Sequence, residues 1–162
     1  MILSAFTLFH VLLSLAGIGS GFVVLYGLLT AKRPDRWTML FLTTTVATSI
    51  TGFLFPVDHF MPSHGVGIVS LIVLAIGIPA LYRFHLAGVW RRVYAITAVI
   101  ALYLNVFVLV VQLFQKVPLL RAMAPTQSEP PFVAAQLVLL LLFAVLGFRA
   151  ATNFRSEQFR TA

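Results

Sequence analysis

The stretch VYAITAVIALYLNVFVLVVQLFQ, residues 93–115, runs from just after Arg91 and Arg92 to just before Lys116 without a charged side chain. As an α-helix rising about 1.5 Å per residue, it is long enough to cross a hydrocarbon core of about 30 Å. Four further apolar runs of comparable reach occupy residues 2–31, 37–57, 65–84 and 132–151. Together they predict an all-α integral membrane protein, a compact bundle of five transmembrane helices forming one membrane domain over residues 1–162. The first run has no basic residue ahead of it and is longer than the apolar region of a signal peptide, so it is expected to stay attached as the first helix.

Composition points the same way. Only 9% of residues are charged against 60% hydrophobic, and the mean hydropathy is +1.03. That leaves too little polar surface to coat a water-soluble globule of this length, and little chain beyond the crossings. The net charge of +7 does not imply a nucleic-acid partner, because Lys and Arg fall in short clusters between apolar runs, as topology signals do. The chain contains no Cys, which excludes disulfides, Cys-ligated zinc, iron-sulfur clusters and thiol catalysis.

The basic clusters orient the bundle. Lys32, Arg33 and Arg36 follow the first run, Arg83, Arg91 and Arg92 flank the third loop, and Arg149, Arg155 and Arg160 lie towards the C-terminus; only Lys116 and Arg121 oppose them. Positive residues concentrate on the cytoplasmic side, so the N-terminus is expected outside and the C-terminus in the cytoplasm, with anionic lipids against the cytoplasmic face. Small size, absent Cys and the lack of an organelle-targeting segment suggest a bacterial inner membrane. On the outer side lie a short loop at residues 57–64 and a longer one, KVPLLRAMAPTQSEPP, at 116–131. Its four prolines forbid one continuous helix, while Leu119, Leu120, Ala122 and Met123 suit an apolar turn on the interface, so a folded cap is expected there. Pro79 is expected to kink the third helix, as ordinary prolines in membrane helices do.

Polar groups are costly inside a membrane and tend to face the bundle interior, so their depth is informative. Counting along the helices places His10 roughly 9 Å below the outer surface, Gln112 roughly 5 Å and Gln136 roughly 6 Å. His10 shares a face with Ser14, Gly17 and Gly21, small enough for another helix to approach closely. Asn105 and Gln112, seven residues apart, share a face of the fourth helix and are candidates to meet His10. Asp58, His59 and His64 fall in the short outer loop and Gln127 and Glu129 in the longer one, so most ligating groups converge on the outer side.

Two readings follow. In the first, a polar pocket near the outer face binds a metal ion, haem or a small polar ligand. His10, His64 and Asp58 are then the candidate metal ligands, with His59 and Glu129 as further donors, and Asn105, Gln112 and Glu129 the candidate ligand-binding residues. Spacing lends this little support, since Asp58, His59 and His64 match no established ligand pattern. The plainer alternative leaves His59 and His64 as interfacial residues and His10 as a buried histidine satisfied by a neighbouring helix. In the second reading, the chain is a non-catalytic accessory or assembly subunit, packing against itself or a larger membrane complex. Gly17 and Gly21 form a GxxxG pattern that joins helices within a chain as readily as between chains. A small channel or carrier through helices two and four is a third possibility. Thr43, Thr44, Thr45, Thr48, Ser49 and Thr51 crowd helix two, but no intramembrane carboxylate or Lys accompanies them. His85, among arginines at the cytoplasmic end, is expected to anchor the end of helix three. The many Phe residues with Trp37, Trp90 and Tyr94 suit core packing and interfacial belts. No hydrolase or nucleotide-binding motif is present.

Overall fold

The structure, a computed structural model, describes residues 2–56 and 62–154. Six helices follow one another: α1 (Ile2–Leu29), α2 (Asp35–Gly52), α3 (Pro62–Tyr82), α4 (Trp90–Lys116), the short α5 (Pro118–Met123) and α6 (Pro130–Asn153). No strand occurs among the described residues. Several boundaries have local causes. Proline lacks the N–H that a first turn leaves unused, so α5 and α6 begin on Pro118 and Pro130. The first helix stops two residues before the predicted limit because Ala31 turns left-handed, at φ 55°, and Lys32 N–H closes onto Gly27 O at 2.7 Å. At the end of α3, His85 and Leu86 are both left-handed, and Leu86 N–H reaches back to Ala80 O. Pro79 lies in the last turn of α3, its carbonyl accepting from the N–H groups of Arg83 and Phe84.

Among the described residues four helices are long and apolar enough to cross a membrane: α1 from Ser4, α3, α4 and α6. The run expected as a second crossing is α2, only 18 residues long, which opens on Asp35 and Arg36 and carries the hydroxyl cluster. Length and composition alone therefore do not mark it as a span.

Helix α4 sits at the centre, packed against α1, α3, α5 and α6, while the most extensive pairing is between α1 and α2. Small side chains allow the close approach: Ala80, Ala95, Ala101 and Ala150 are fully buried, and Gly147 of α6 lies against Val99 of α4. The polarity of the molecule is inverted relative to a water-soluble protein. Ser20, Thr38, Thr44, Thr45, Ser49, Ser70 and Thr97 are buried, whereas Phe148 is 72% exposed and Leu141 66%. An apolar exterior of this extent is unstable in water and suits hydrocarbon.

Short connections make successive long helices antiparallel, so α1's start, α2's end, α3's start, α4's end, α5 and α6's start share one end of the bundle. Lys116 and Arg121 lie at that end, and Lys32, Arg33, Arg36, Arg83, Arg91, Arg92 and Arg149 at the other.

Candidate functional site

Helix α2 supplies the polar interior. A hydroxyl in a membrane helix has no water to donate to and turns its hydrogen onto a carbonyl one turn earlier. Thr44 Oγ1 donates to Leu40 O at 2.7 Å, Ser49 Oγ to Thr45 O at 2.9 Å and Thr51 Oγ1 to Ala47 O at 2.7 Å. Each such oxygen keeps lone pairs for a neighbouring helix. Thr45 Oγ1 accepts from Asn105 Nδ2 of α4 at 3.2 Å, and the hydroxyls of Ser49 and Ser70 of α3 lie 3.1 Å apart. Gly17 of α1 makes room for this junction: a Cβ there would stand 3.2 Å from Thr44 Oγ1 and 3.5 Å from Asn105 Nδ2. One turn on, a Cβ at Gly21 would meet Leu102 Cδ1 at 2.6 Å and Phe41 at 2.9 Å, so apolar side chains close the seam below Asn105.

Towards the other side of the junction stands His10. Its Nδ1 lies 2.8 Å from Thr51 Oγ1, and its ring meets Phe55 edge-on with centroids 5.1 Å apart. Phe55 in turn packs on Phe6 at 4.9 Å. Thr51 Oγ1 also lies 2.7 Å from Ala47 O; with its single hydrogen directed there, Nδ1–H donates to Thr51 and the basic lone pair of the neutral ring is on Nε2. A nitrogen oriented through its ring partner in this way is what a metal-ligating or hydrogen-bond-accepting histidine requires.

His64 is half-buried on α3, stacked on Phe53 with centroids 5.5 Å apart. The two histidines thus flank the turn after α2, at one end of the bundle. Asp58 and His59 lie outside the described residues. Among the described residues no group of three or more His, Asp or Glu side chains assembles into a metal centre.

The expected ligand-binding residues divide. Asn105 belongs to the junction with Thr45, and Gln112 is half-buried two turns further along α4. Glu129 belongs to the cap instead. Its carboxylate accepts from Thr126 Oγ1 at 2.8 Å and from the N–H groups of Thr126 and Ser128 at 3.1 Å. Slight desolvation raises its pKa, but the bonds from Thr126 and the backbone N–H groups outweigh that and hold it below the ordinary 4.5.

The cap also forms a cleft of about 350 Å³ lined by Phe114, Gln115, Arg121, Pro125, Thr126 and Gln127. Gln127 is left-handed, at φ 60°, and its Nε2 donates to Val111 O at 3.1 Å, which ties the loop to α4. Sequence reasoning missed Thr51, because it read the hydroxyls of α2 as packing. It missed the cleft because no local pattern announces a left-handed Gln. At the far end of α2, the buried hydroxyls of Thr38 and Tyr94 lie together with no partner of hydrogen-bonding geometry. Gln136 donates to Phe107 O at 3.4 Å, leaving its buried Oε1 unpartnered.

No protein-family model, curated protein or solved structure matches this chain.

Proposed function

We propose that this chain is an integral protein of a bacterial inner membrane that crosses it five times, N-terminus outside and C-terminus in the cytoplasm, and binds a ligand in a polar pocket of its outer half. The fifth crossing is α2. At about 1.5 Å per residue its 18 residues reach about 27 Å, close to the hydrocarbon thickness, and it lies antiparallel to both neighbours. The orientation rests on the basic residues, which crowd the end opposite His10 and attract anionic lipids there.

One observation carries the binding reading: a histidine within an apolar helix, its Nδ1 held 2.8 Å from the Thr51 hydroxyl, which orients the ring. Ionisable groups within a membrane segment are costly and mark sites, and this one keeps Nε2 for a partner. A metal ion or haem iron is one such partner, with His64 and Asp58 as further candidate donors; a small polar ligand satisfied by Nε2 and Gln112 is the other. The test is the metal content of detergent-purified protein measured by mass spectrometry beside His10→Ala and His64→Ala. Near-stoichiometric metal that falls in either variant supports a metal site. Metal-free protein removes the metal and haem readings and leaves the organic ligand.

The second reading, an accessory subunit of a larger membrane complex or a homo-oligomer, draws on α6, of whose spanning window only 6% is buried inside the bundle. Under that reading purified protein carries no ligand at His10, and cross-linking through Leu141 or Val145 captures a partner helix. A channel draws little support, since Phe41 and Leu102 pack closely against Gly21 where α1 meets α2 and α4.

A further inference from the structure

Arg121 is the outlier of the charge pattern, a cation at the end where the other described basic residue is Lys116. Among the described residues it has no acidic partner: the one ion pair there joins Arg33 to Asp35 at the opposite end. Instead it lines the cap cleft with Gln115, Thr126 and Gln127, over a floor provided by buried Phe114. On the same short helix, Leu119 is 72% exposed and Met123 49%, which seats α5 at the boundary between hydrocarbon and headgroups. From this geometry we infer that the cleft binds the phosphate of a phospholipid headgroup in the leaflet that the cap faces, with the Arg121 guanidinium as the anchor.

The guanidinium fork presents parallel N–H donors that match two phosphate oxygens. Gln115 adds a carboxamide donor, since only one of its N–H groups is directed at Gln127 Oε1, 3.4 Å away. Glu129 stands behind Thr126 without pairing to Arg121, its oxygens turned onto the N–H groups and hydroxyl of its own loop. An ionised carboxylate beside a bound phosphate favours a zwitterionic headgroup, whose ammonium it attracts, over one with net negative charge. Lipid is favoured over soluble phosphate because acyl chains descending from the cleft would lie along the apolar surface of α5. No cleft residue touches His10, so this inference is independent of the outer-pocket proposal.

The test is native mass spectrometry of the full chain after exchange with vesicles of phosphatidylethanolamine and phosphatidylglycerol in equal parts, comparing the parent, Arg121→Gln and Lys116→Gln. Loss of a charge-assisted bidentate contact lowers lipid occupancy about tenfold. The expected result is that loss in Arg121→Gln only, with phosphatidylethanolamine the retained species. Equal retention in parent and Arg121→Gln overturns the proposal, as does an equal fall in Lys116→Gln, which reports diffuse charge. In a second arm, inorganic phosphate is added to delipidated protein and thermal unfolding recorded. An Arg121-dependent rise in midpoint, with no lipid retained by the parent, assigns the cleft to soluble phosphate and overturns the lipid source.

Discussion

The pairing of His10 with Thr51 makes a statement about one proton that solution spectroscopy can check. When the Thr51 hydrogen is directed at Ala47 O, 2.7 Å away, the proton of the neutral ring belongs on Nδ1. In ¹⁵N-labelled protein, long-range nitrogen–proton correlations are expected to show His10 Nδ1 protonated and Nε2 bare. In Thr51→Val, which keeps the shape of the side chain and removes the acceptor, the ring is expected to shift towards the Nε2–H tautomer. A spectrum unaltered by that substitution removes Thr51 as the orienting group and weakens the case for a poised Nε2. Glu129 offers a second single-residue test. Its carboxyl is held below the ordinary 4.5 in the folded cap, so the stabilisation it gives is present above the unfolded value and is lost as pH falls through the lower folded one. Protection of the Thr126 and Ser128 amides, relative to the intrinsic exchange rate at each pH, is therefore expected to hold at neutral pH and to fall only in acid below the usual carboxylate range. Glu129→Gln is expected to lower that protection at neutral pH and abolish the acid step.

Among the elements, the glycines of α1 separate helix packing inside the chain from packing between chains. Gly17 and Gly21 face α2 and α4, and a side chain at Gly21 collides with two buried residues, Phe41 and Leu102; a Cβ at Gly19 meets nothing within 4 Å. Gly21→Leu is expected to cost about 1–3 kcal/mol by overpacking and to lower the midpoint of thermal unfolding in detergent. Gly19→Ala is expected to be neutral, or to stabilise α1 by about 0.5–1 kcal/mol through helix propensity. Equal effects at both positions would contradict the packing of α1 against α2 and α4. The sequence assigned this face through His10, Ser14, Gly17 and Gly21, spaced by steps of four and three, although α1 is otherwise apolar all round. Its helical length was legible, since an uncharged run of that kind leaves the backbone few ways to satisfy itself in lipid. Asn105 was legible too, as a costly amide near the midplane, but its partner Thr45 was hidden among six similar hydroxyls on α2. The double variant Asn105→Leu with Thr45→Val is expected to lose no more stability than either single one, near 0.6 kcal/mol, the usual scale for an interhelical hydrogen bond in a membrane.

At the scale of the molecule, charge and apolarity are segregated by end and by depth, and that segregation was readable from composition and spacing. What the spacing could not supply was convergence. Glu129, in the outer loop, and Asn105, on α4, were both candidates for one pocket but are drawn into different neighbourhoods, because the cap folds back on itself through Thr126 and Ser128. The same counting leaves the number of crossings dependent on one element, α2, whose Asp35, Arg36 and hydroxyls dilute its apolarity. The absence of Cys makes the chain a clean host for deciding this with single introduced cysteines and a membrane-impermeant maleimide applied to intact cells. Thr30 ends α1 at the basic end, Ser63 opens α3 at the other, Ala87 follows α3, and Ser128 lies in the cap. With five crossings, Ser63→Cys and Ser128→Cys are labelled from outside, while Thr30→Cys and Ala87→Cys react only after lysis. If α2 instead lay along one surface, Thr30→Cys and Ser63→Cys would share a side and Ala87→Cys would take the opposite one. That outcome would also bring Thr51 and His10 to the membrane surface rather than within it, and the cost argument that makes His10 a site would lapse with the fifth crossing.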